Sequence, residues 1–159
     1  MMTAFPVYLA TNMAEITISK MQKNDISEVA KIEGDIFSLG FSENDFLDYI
    51  DNPIYHFLVA RLDNKIVGYI SYMIICDEGE IINVGVMPEY RGFKIGKKLL
   101  FEMIQDCKSK NAVCVHLEVR RSNYVAINLY EGFGFLTVGV SKNHYKEPTE
   151  DALRMNLCL

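Results

Sequence analysis

The sequence predicts a single domain of the mixed α/β class. Segments with helical and with strand periodicity alternate along the chain, in the order β-α-α-β-β-β-α-β-α-β-β. The chain has 159 residues and is 50% hydrophobic, which suffices for one buried core and excludes a disordered or low-complexity protein. The strand–loop–helix–strand segment from Glu80 to Val119 predicts a right-handed crossover, so one pair of strands should be parallel.

Six elements are expected before Pro88. Ser42, with Asp45 three residues later, is typical of a capping box, and Pro53 should end the helix that follows. Asp63 and Asn64 separate two apolar runs and predict a hairpin turn. In order, the elements are strand 16–18, a helix capped by Asn24 or Asp25 with apolar positions Ile26, Val29, Ala30 and Ile32, the helix after Ser42, and strands 56–62, 65–75 and 80–87.

Five elements are expected in the second half of the chain. A long helix is indicated by apolar residues that recur on one helical face, and the remaining segments are short and bounded by polar residues. In order, the elements are helix 94–108, strand 113–119, helix 123–131 and strands 135–140 and 152–157. The apolar face of the long helix comprises Gly96, Leu99, Leu100, Met103, Ile104 and Cys107.

Charge is distributed unevenly along the chain. Residues 1–80 carry 13 acidic and 5 basic side chains, a net charge of −8, whereas residues 81–159 carry 8 acidic and 11 basic ones, a net charge of +3. A chain with an overall charge of −5 is a poor candidate for nucleic-acid binding, which usually requires a strongly basic face. The basic second half instead indicates a small anionic ligand.

The cysteines and the N-terminus indicate a soluble cytoplasmic protein. The four cysteines (Cys76, Cys107, Cys114 and Cys158) form no Cys-x-x-Cys pair, and no histidine is recognised at metal-ligand spacing, so no metal is expected. Cys107 and Cys114 are expected to be buried free thiols in a reducing compartment. Residues 1–13 do not resemble a signal peptide, and no apolar run reaches the roughly 20 residues that cross a membrane. Residues 1–14 are expected to be an extension, and residues 15–159 the domain.

The strongest local feature is the turn that leads into the long helix. The positive end of a helix dipole normally carries acidic residues, but this helix start carries Arg91, Lys94, Lys97 and Lys98. Four cations there repel the dipole unless an anion lies among them, and a pyrophosphate would fit. A solvated lysine-rich surface is the alternative.

Residues 82–96 read Ile-Asn-Val-Gly-Val-x-Pro-x-Tyr-Arg-Gly-x-x-Ile-Gly and resemble the acetyl-CoA-binding motif of the GNAT superfamily of N-acetyltransferases. The loop pattern of that motif is Arg/Gln-x-x-Gly-x-Gly/Ala. This chain keeps Arg91 and Gly96 but has Lys94 where the middle glycine usually stands. A non-glycine residue disfavours positive φ, so the loop is expected to be slightly reshaped, with the lysine charge as partial compensation.

A second motif is similar to that of the RimI-like and the archaeal or eukaryotic N-terminal acetyltransferases. Residues 117–135 contain Leu-Glu-Val-Arg-x-Ser-Asn, then Leu-Tyr, then Gly-Phe, and the resemblance extends over residues 16–157. It implies a GNAT fold: a mostly antiparallel sheet, a parallel pair splayed around the acetyl-CoA site, and about four helices. It also implies acetyl-CoA as cosubstrate, protein or peptide N-termini as acceptors, and direct attack in a ternary complex.

The resemblance assigns three residues to catalysis. Strand alternation places Glu118 on the same face as His116 and Arg120, where a carboxylate could simply be solvated. The resemblance favours Glu118 as general base, directly or through water, and Tyr130 as general acid. Glu80 lies where some relatives hold a second base and could share the proton route. His116, like His56, is expected to be structural.

The resemblance also assigns the binding residues. Those for acetyl-CoA are Val84, Val86, Arg91, Gly92, Phe93, Lys94, Ile95, Gly96, Lys97, Asn123 and Tyr130. Those for the substrate are Phe37, Leu39, Phe41 and Tyr145. For Phe37, Leu39 and Phe41, hydrophobic packing of the loop is an equally favoured alternative to substrate binding. Asn123 could also cap the helix that follows it. Because relatives that favour small first residues often carry an acid near the Leu39 position, Leu39 indicates tolerance for methionine or another apolar first residue.

Three functions are therefore considered. The favoured one is acetylation of protein N-termini, with an auxiliary subunit or the ribosome left open as partner and neither nucleic acid nor membrane expected. A GNAT enzyme acting on lysine or a small-molecule amine is the second, and a non-catalytic CoA-binding subunit is the third.

Overall fold

The computed structural model describes residues 15–159. The predictions of an N-terminal extension and of no signal peptide refer to residues 1–14, which lie outside the described range. The order of the elements agrees with the order predicted from the sequence. The strands are β1 (Thr17–Lys20), β2 (Tyr55–Leu62), β3 (Lys65–Ile75), β4 (Glu78–Val86), β5 (Cys114–Arg120), β6 (Leu136–Lys146) and β7 (Thr149–Cys158). The helices are α1 (Ile26–Ile36), α2 (Glu43–Tyr49), α3 (Ile95–Ser109) and α4 (Tyr124–Gly132), with single 3-10 turns at Lys23–Asp25 and Pro88–Tyr90.

The strands form one mixed sheet in the order β1-β2-β3-β4-β5-β7-β6. Every neighbouring pair is antiparallel except β4 and β5, which are parallel, as the predicted right-handed crossover requires. The predicted mixed α/β class and its parallel pair are therefore confirmed. Asp63 and Asn64 adopt φ values of 49° and 66°, as expected for a two-residue hairpin turn between β2 and β3.

The sheet separates two hydrophobic cores. The adjacent residues Val59 and Ala60 on β2 belong to different clusters because successive side chains of a strand point to opposite faces. The larger core packs the apolar face of α3, including Leu99 and Met103, together with α4 against the sheet. The second core joins α1 and α2 to the other face around the buried Phe46. Both cores together hold the strands that form the candidate site.

Several details differ from the sequence-based expectations. The final hairpin is longer than predicted, because β6 extends to Lys146 and β7 begins at Thr149. Cys107 is buried as expected, but Cys114 is only partly buried because it lies near the end of the sheet. Across the described residues, no helix combines the length and the apolar character needed to cross a membrane.

Candidate active site

The site begins with a gap between the two parallel strands. β4 and β5 are paired only at Glu78–Cys114, Gly79–Val115 and Glu80–His116. Beyond these pairs, β4 continues to pair only with β3, and β5 continues to pair only with β7. The two strands therefore diverge toward their carboxyl ends and open the sheet, as the resemblance implied, at the side where α3 and α4 begin.

The start of α3 leaves backbone donors free beside this gap. The first hydrogen bond of the helix runs from the Lys98 N–H to the Lys94 carbonyl, so the N–H groups of Ile95, Gly96 and Lys97 lack intrahelical acceptors. The first turn contains no acidic residue. Arg91 donates from Nε to the Val86 carbonyl at 3.2 Å. Free N–H groups and a positive dipole end among basic side chains can bind an anion.

The loop before α3 adopts left-handed backbone at two positions. Gly92 has a φ of 88°, and Lys94 has a φ of 60° and a ψ of 22°. Lys94 therefore takes up, at some conformational cost, the backbone region that glycine adopts freely. Ile95 is buried in the core, so only its backbone faces the loop. Phe93 is exposed.

Glu118 on β5 has two polar neighbours on the final hairpin. Ser141 donates from Oγ to Glu118 Oε1 at 2.9 Å, and His144 Nε2 lies 3.0 Å from Glu118 Oε2. The side chain of Glu118 is 35% exposed. A carboxylate held by two neighbours and open to solvent can accept a proton from a bound amine.

A bulge in β6 brings His144 to Glu118. The register shifts between Ser141 and Tyr145, and Asn143 adopts a φ of 48°. Asp151 stabilises the bulge, because its Oδ1 accepts from the Asn143 N–H at 2.9 Å and its Oδ2 pairs with the Lys142 ammonium at 3.3 Å. The hydrogen bond to Asn143 is the main reason why the pKa of Asp151 lies below its usual range. The bulge thus directs His144 across the sheet face.

Two tyrosines lie near one another at the site, and one of them, Tyr145, is close to Glu118. Tyr130 on α4 is buried against Phe135, and burial together with nearby Tyr145 raises its pKa. The guanidinium carbon of Arg120 lies over the ring of Tyr145, 4.2 Å from the ring centroid. Burial and the Glu118 carboxylate raise the pKa of Tyr145. Both phenols therefore keep their protons at neutral pH. A tyrosine at the edge of a hydrophobic core usually has a buried ring and a solvent-exposed hydroxyl, but Tyr130 is buried as a whole residue.

Glu80 occupies the same face but has no direct link to Glu118. It pairs with His116, which precedes Glu118 by two residues on β5. No hydrogen bond or ion pair within residues 15–159 joins the two carboxylates. Asn123 caps α4, since its Oδ1 accepts from the Ala126 N–H at 3.2 Å, which agrees with the structural role expected for it.

The loop between α1 and α2 rests on a buried carboxylate. Glu33 is fully buried, and its Oε1 accepts from the Phe41 N–H at 2.9 Å and from Asn83 Nδ2 at 2.6 Å. Its Oε2 has no hydrogen-bond partner, and burial raises its pKa. A Cβ on Gly40 would lie 2.5 Å from Glu33 Cγ, so the loop approaches closely only because residue 40 is glycine.

The three loop residues predicted to bind substrate differ in exposure. Phe37 and Phe41 pack against the second core, and the ring of Phe41 lies 5.5 Å from that of Phe46. Leu39 is 83% exposed. Leu39 is therefore the loop side chain that is free to contact a substrate, whereas the two phenylalanines hold the loop in place.

Several residues of the site were not predicted from the sequence. Ser141 donates to Glu118, 23 residues away, and Asp151 and Glu33 accept from backbone N–H groups eight residues away, so no short sequence motif marks these residues. Cys114 and His116 lie two residues apart on one strand and therefore share a face, a juxtaposition that the sequence analysis did not consider. The alternation of side chains along β5 is the sequence pattern that predicts the proximity of Cys114 and His116.

Known proteins resemble this chain over most of its length. The acetyltransferase (GNAT) family matches residues 26–135. A Bacillus subtilis protein, provisionally named a ribosomal protein bS18-alanine N-acetyltransferase, is 37% identical over 139 residues, covering 87% of this chain and 92% of that protein. An N-alpha-acetyltransferase of Saccharolobus solfataricus is 31% identical over 154 residues, covering 89% and 92%. The crystal structure of the ribosomal-protein-S18-alanine N-acetyltransferase from Escherichia coli has a TM-score of 0.83 and 28% identity, covering 91% and 94%.

Proposed function

Because the chain belongs to the GNAT acetyltransferase family and is an acetyl-CoA-dependent N-acetyltransferase, we propose that its acceptor is the α-amino group of a protein N-terminus. Two relatives are named for alanine of a ribosomal protein or for N-alpha acetylation, which supports this acceptor. The observation that carries the proposal is the placement of Glu118 on one of the two splayed strands, with Ser141 and His144 at its two oxygens. The cytoplasm is the proposed compartment.

The acetyl-CoA site is proposed to extend from the gap to the start of α3. The pyrophosphate would bind at the free N–H groups of Ile95, Gly96 and Lys97, with Gly92 and Phe93 in the preceding loop. The side chains of Arg91, Lys94 and Lys97 supply positive charge there. The exposed backbone edge of β4 near Val84 and Val86 would bind the pantetheine arm, and Asn123 and Tyr130 would contact CoA from α4.

Glu118 is proposed to remove the proton of the attacking amine. An α-amine has a pKa near 7.8, so roughly one in seven is neutral at pH 7, against about one in 2,500 for a lysine. This difference corresponds to about 3.5 kcal/mol, so a mild carboxylate base is sufficient for an α-amine. Ser141 and His144 fix the orientation of the carboxylate. Glu80 does not touch Glu118 directly, so its proposed part in the proton route would pass through water.

Tyr130 is proposed to protonate the departing thiolate. As the amine nitrogen forms its bond to the acetyl carbon, its proton passes to Glu118 and the carbon–sulfur bond breaks. The Tyr130 hydroxyl then donates its proton to sulfur. Burial raises the pKa of Tyr130, so its hydroxyl carries a proton at neutral pH and can act as the donor. Attack is direct, so none of the cysteines forms an acyl intermediate.

The first residue of the substrate is proposed to lie between Leu39 and Tyr145. Leu39 projects from the α1–α2 loop, and Tyr145 is held from the opposite side by Arg120. Phe37 and Phe41 support the loop from beneath. An exposed leucine favours apolar first residues such as methionine, and it leaves room for the alanine that two relatives are named for.

A peptide panel tests the acceptor. Purified protein is incubated with acetyl-CoA and peptides beginning with alanine, methionine, serine or glutamate, together with an N-terminally blocked peptide that contains lysine. We expect acetylation of free α-amines, strongest for apolar first residues, and none of the blocked peptide. Modification of the lysine peptide alone would refute the proposal in favour of the second candidate function.

Two variants test the proposed catalytic roles. Glu118→Gln should lower kcat by about 10²–10⁴-fold, and Tyr130→Phe should lower it by a similar factor, because each removes a proton-transfer group. Glu102→Gln on the exposed face of α3 is the matched control and should keep wild-type turnover. Full activity in both active-site variants would remove their assigned roles while leaving the acceptor assignment intact.

A further inference from the structure

A cluster of metal-binding donors lies at the narrow end of the parallel strand pair. Glu78 on β4 is paired with Cys114 on β5, and His116 follows two residues later on the same face of β5. One ligand atom from each of the three side chains lies within 4.8 Å of the other two. A thiol, an imidazole and a carboxylate from two strands thus converge on one point of the sheet surface.

The imidazole of His116 is held in an orientation suited to metal binding. Its Nδ1 lies 2.8 Å from the side-chain oxygen of Asn156, which is paired with it on β7. An amide oxygen only accepts hydrogen bonds, so Nδ1 carries the proton and Nε2 presents its lone pair. Nε2 lies 3.1 Å from Cys114 Sγ and 3.7 Å from Glu78 Oε2. Metal-binding histidines are usually fixed by a partner on the second nitrogen in this way.

The spacing of the donors agrees with a tetrahedral ion. Ligands at about 2.0–2.3 Å from zinc are about 3.3–3.8 Å from one another, close to the two separations around Nε2. We propose that Glu78, Cys114 and His116 bind a zinc-class divalent cation, with water in the fourth position. Thiolate and imidazole ligands favour Zn²⁺ over Mg²⁺ or Ca²⁺. The Glu78 side chain is 63% exposed and that of His116 is 36% exposed, so an ion can enter from solvent.

The position of the site gives the ion a structural role. Cys114 and His116 lie within the three residue pairs that join β4 to β5, immediately before the strands diverge. An ion bound to Glu78 on one strand and to both β5 residues ties the strands together at that point. Glu118 lies two residues beyond His116, at the open end of the gap, and is not a ligand. Zinc should therefore stabilise the fold without entering the transfer reaction.

Cobalt spectroscopy on the full-length protein tests the site. Cobalt(II) is added to protein that is kept reduced with a phosphine. A cobalt–thiolate charge-transfer band should grow in the near ultraviolet until one equivalent of cobalt is bound, and added zinc should displace the cobalt and abolish the band. Cys114→Ser and His116→Ala should lose the band. The matched control is Cys76→Ser, which removes an exposed thiol from the β3–β4 turn and should keep it.

A zinc-affinity measurement separates the site from simple misfolding. Asn156→Ala leaves all three ligands in place but frees the His116 ring, and it should weaken zinc binding by about 10–100-fold in competition with a chromophoric chelator. Circular dichroism confirms that each variant is folded. The proposal is overturned if the wild type gives no thiolate band, if the band survives Cys114→Ser, if it is lost in Cys76→Ser, or if Asn156→Ala binds zinc as tightly as the wild type.

Discussion

Lys94 is the position at which the chain departs from the glycine of the acetyl-CoA loop, and it allows a direct test of the loop conformation. Its φ of 60° lies in the left-handed region, which costs an L-residue roughly 1–2 kcal/mol. No hydrogen bond or ion pair of its side chain occurs within residues 15–159, so truncation removes no contact there. Lys94→Gly should therefore relieve backbone strain without removing a side-chain contact.

The magnitude follows from a comparison with Lys94→Ala. Both variants remove the charge, but only alanine keeps a Cβ in the left-handed region. Glycine regains about 1–2 kcal/mol of strain and loses about 0.5–1 kcal/mol to the greater freedom of the unfolded chain. Lys94→Gly should thus be about 0.5–1 kcal/mol more stable than Lys94→Ala. For a chain of this size, that difference raises Tm by about 1–4 °C.

Thermal and denaturant unfolding in the absence of acetyl-CoA measure this difference. Calorimetric titration with acetyl-CoA then separates conformation from charge, because both variants lose the same cation near the proposed pyrophosphate site. A charge at a helix end contributes about 0.3–1 kcal/mol, so both should bind about two- to fivefold more weakly than the wild type. If Lys94→Gly is no more stable than Lys94→Ala, the strain argument is wrong. Unchanged affinity in both variants would contradict the placement of the anion.

Three further outcomes are expected. Burial raises the pKa of Glu33, so the stability that its protonated form contributes is present at acid pH and is lost as the pH rises through the raised pKa. In denaturant titrations, Glu33→Gln should therefore gain stability relative to the wild type as the pH rises above the ordinary range of a glutamate pKa. Gly85→Ala would place a Cβ 2.5 Å from the buried ring of Tyr69 and should lower the free energy of unfolding by about 1–3 kcal/mol, whereas Gly132→Ala, with nothing within 4 Å, should change it by less than about 0.5 kcal/mol. Leu39→Glu should reduce kcat/KM for methionine-first peptides about tenfold relative to alanine-first peptides, measured by competition between the two; equal losses for both peptides would exclude a role in selectivity.

Elements whose signals are local could be predicted from the sequence. The Ser42 capping box is present, with Ser42 and Asp45 bonded reciprocally at the start of α2. The turn at Asp63 and Asn64 agrees with prediction because it depends on two adjacent residues, and the parallel crossover agrees because it follows from the order of consecutive elements. The extent of the final hairpin did not follow, because β6 beyond Val140 is mostly polar and is fixed by pairing with β7 rather than by alternation.

The chemistry of the site depends on register, which the sequence does not encode locally. Alternation along β5 correctly predicted that His116 and Glu118 share a face, but their partners lie far along the chain, on the last two strands. Glu118 is bonded to Ser141, 23 residues away, and His116 to Asn156, 40 residues away. A shift of one residue between β5 and β7 would turn Asn156 to the opposite face and remove the constraint on His116. One strand therefore gives His116 and Glu118 different environments: Glu118, the proposed proton acceptor, lies at the open end of the gap, and His116, the proposed metal ligand, lies at the closed end.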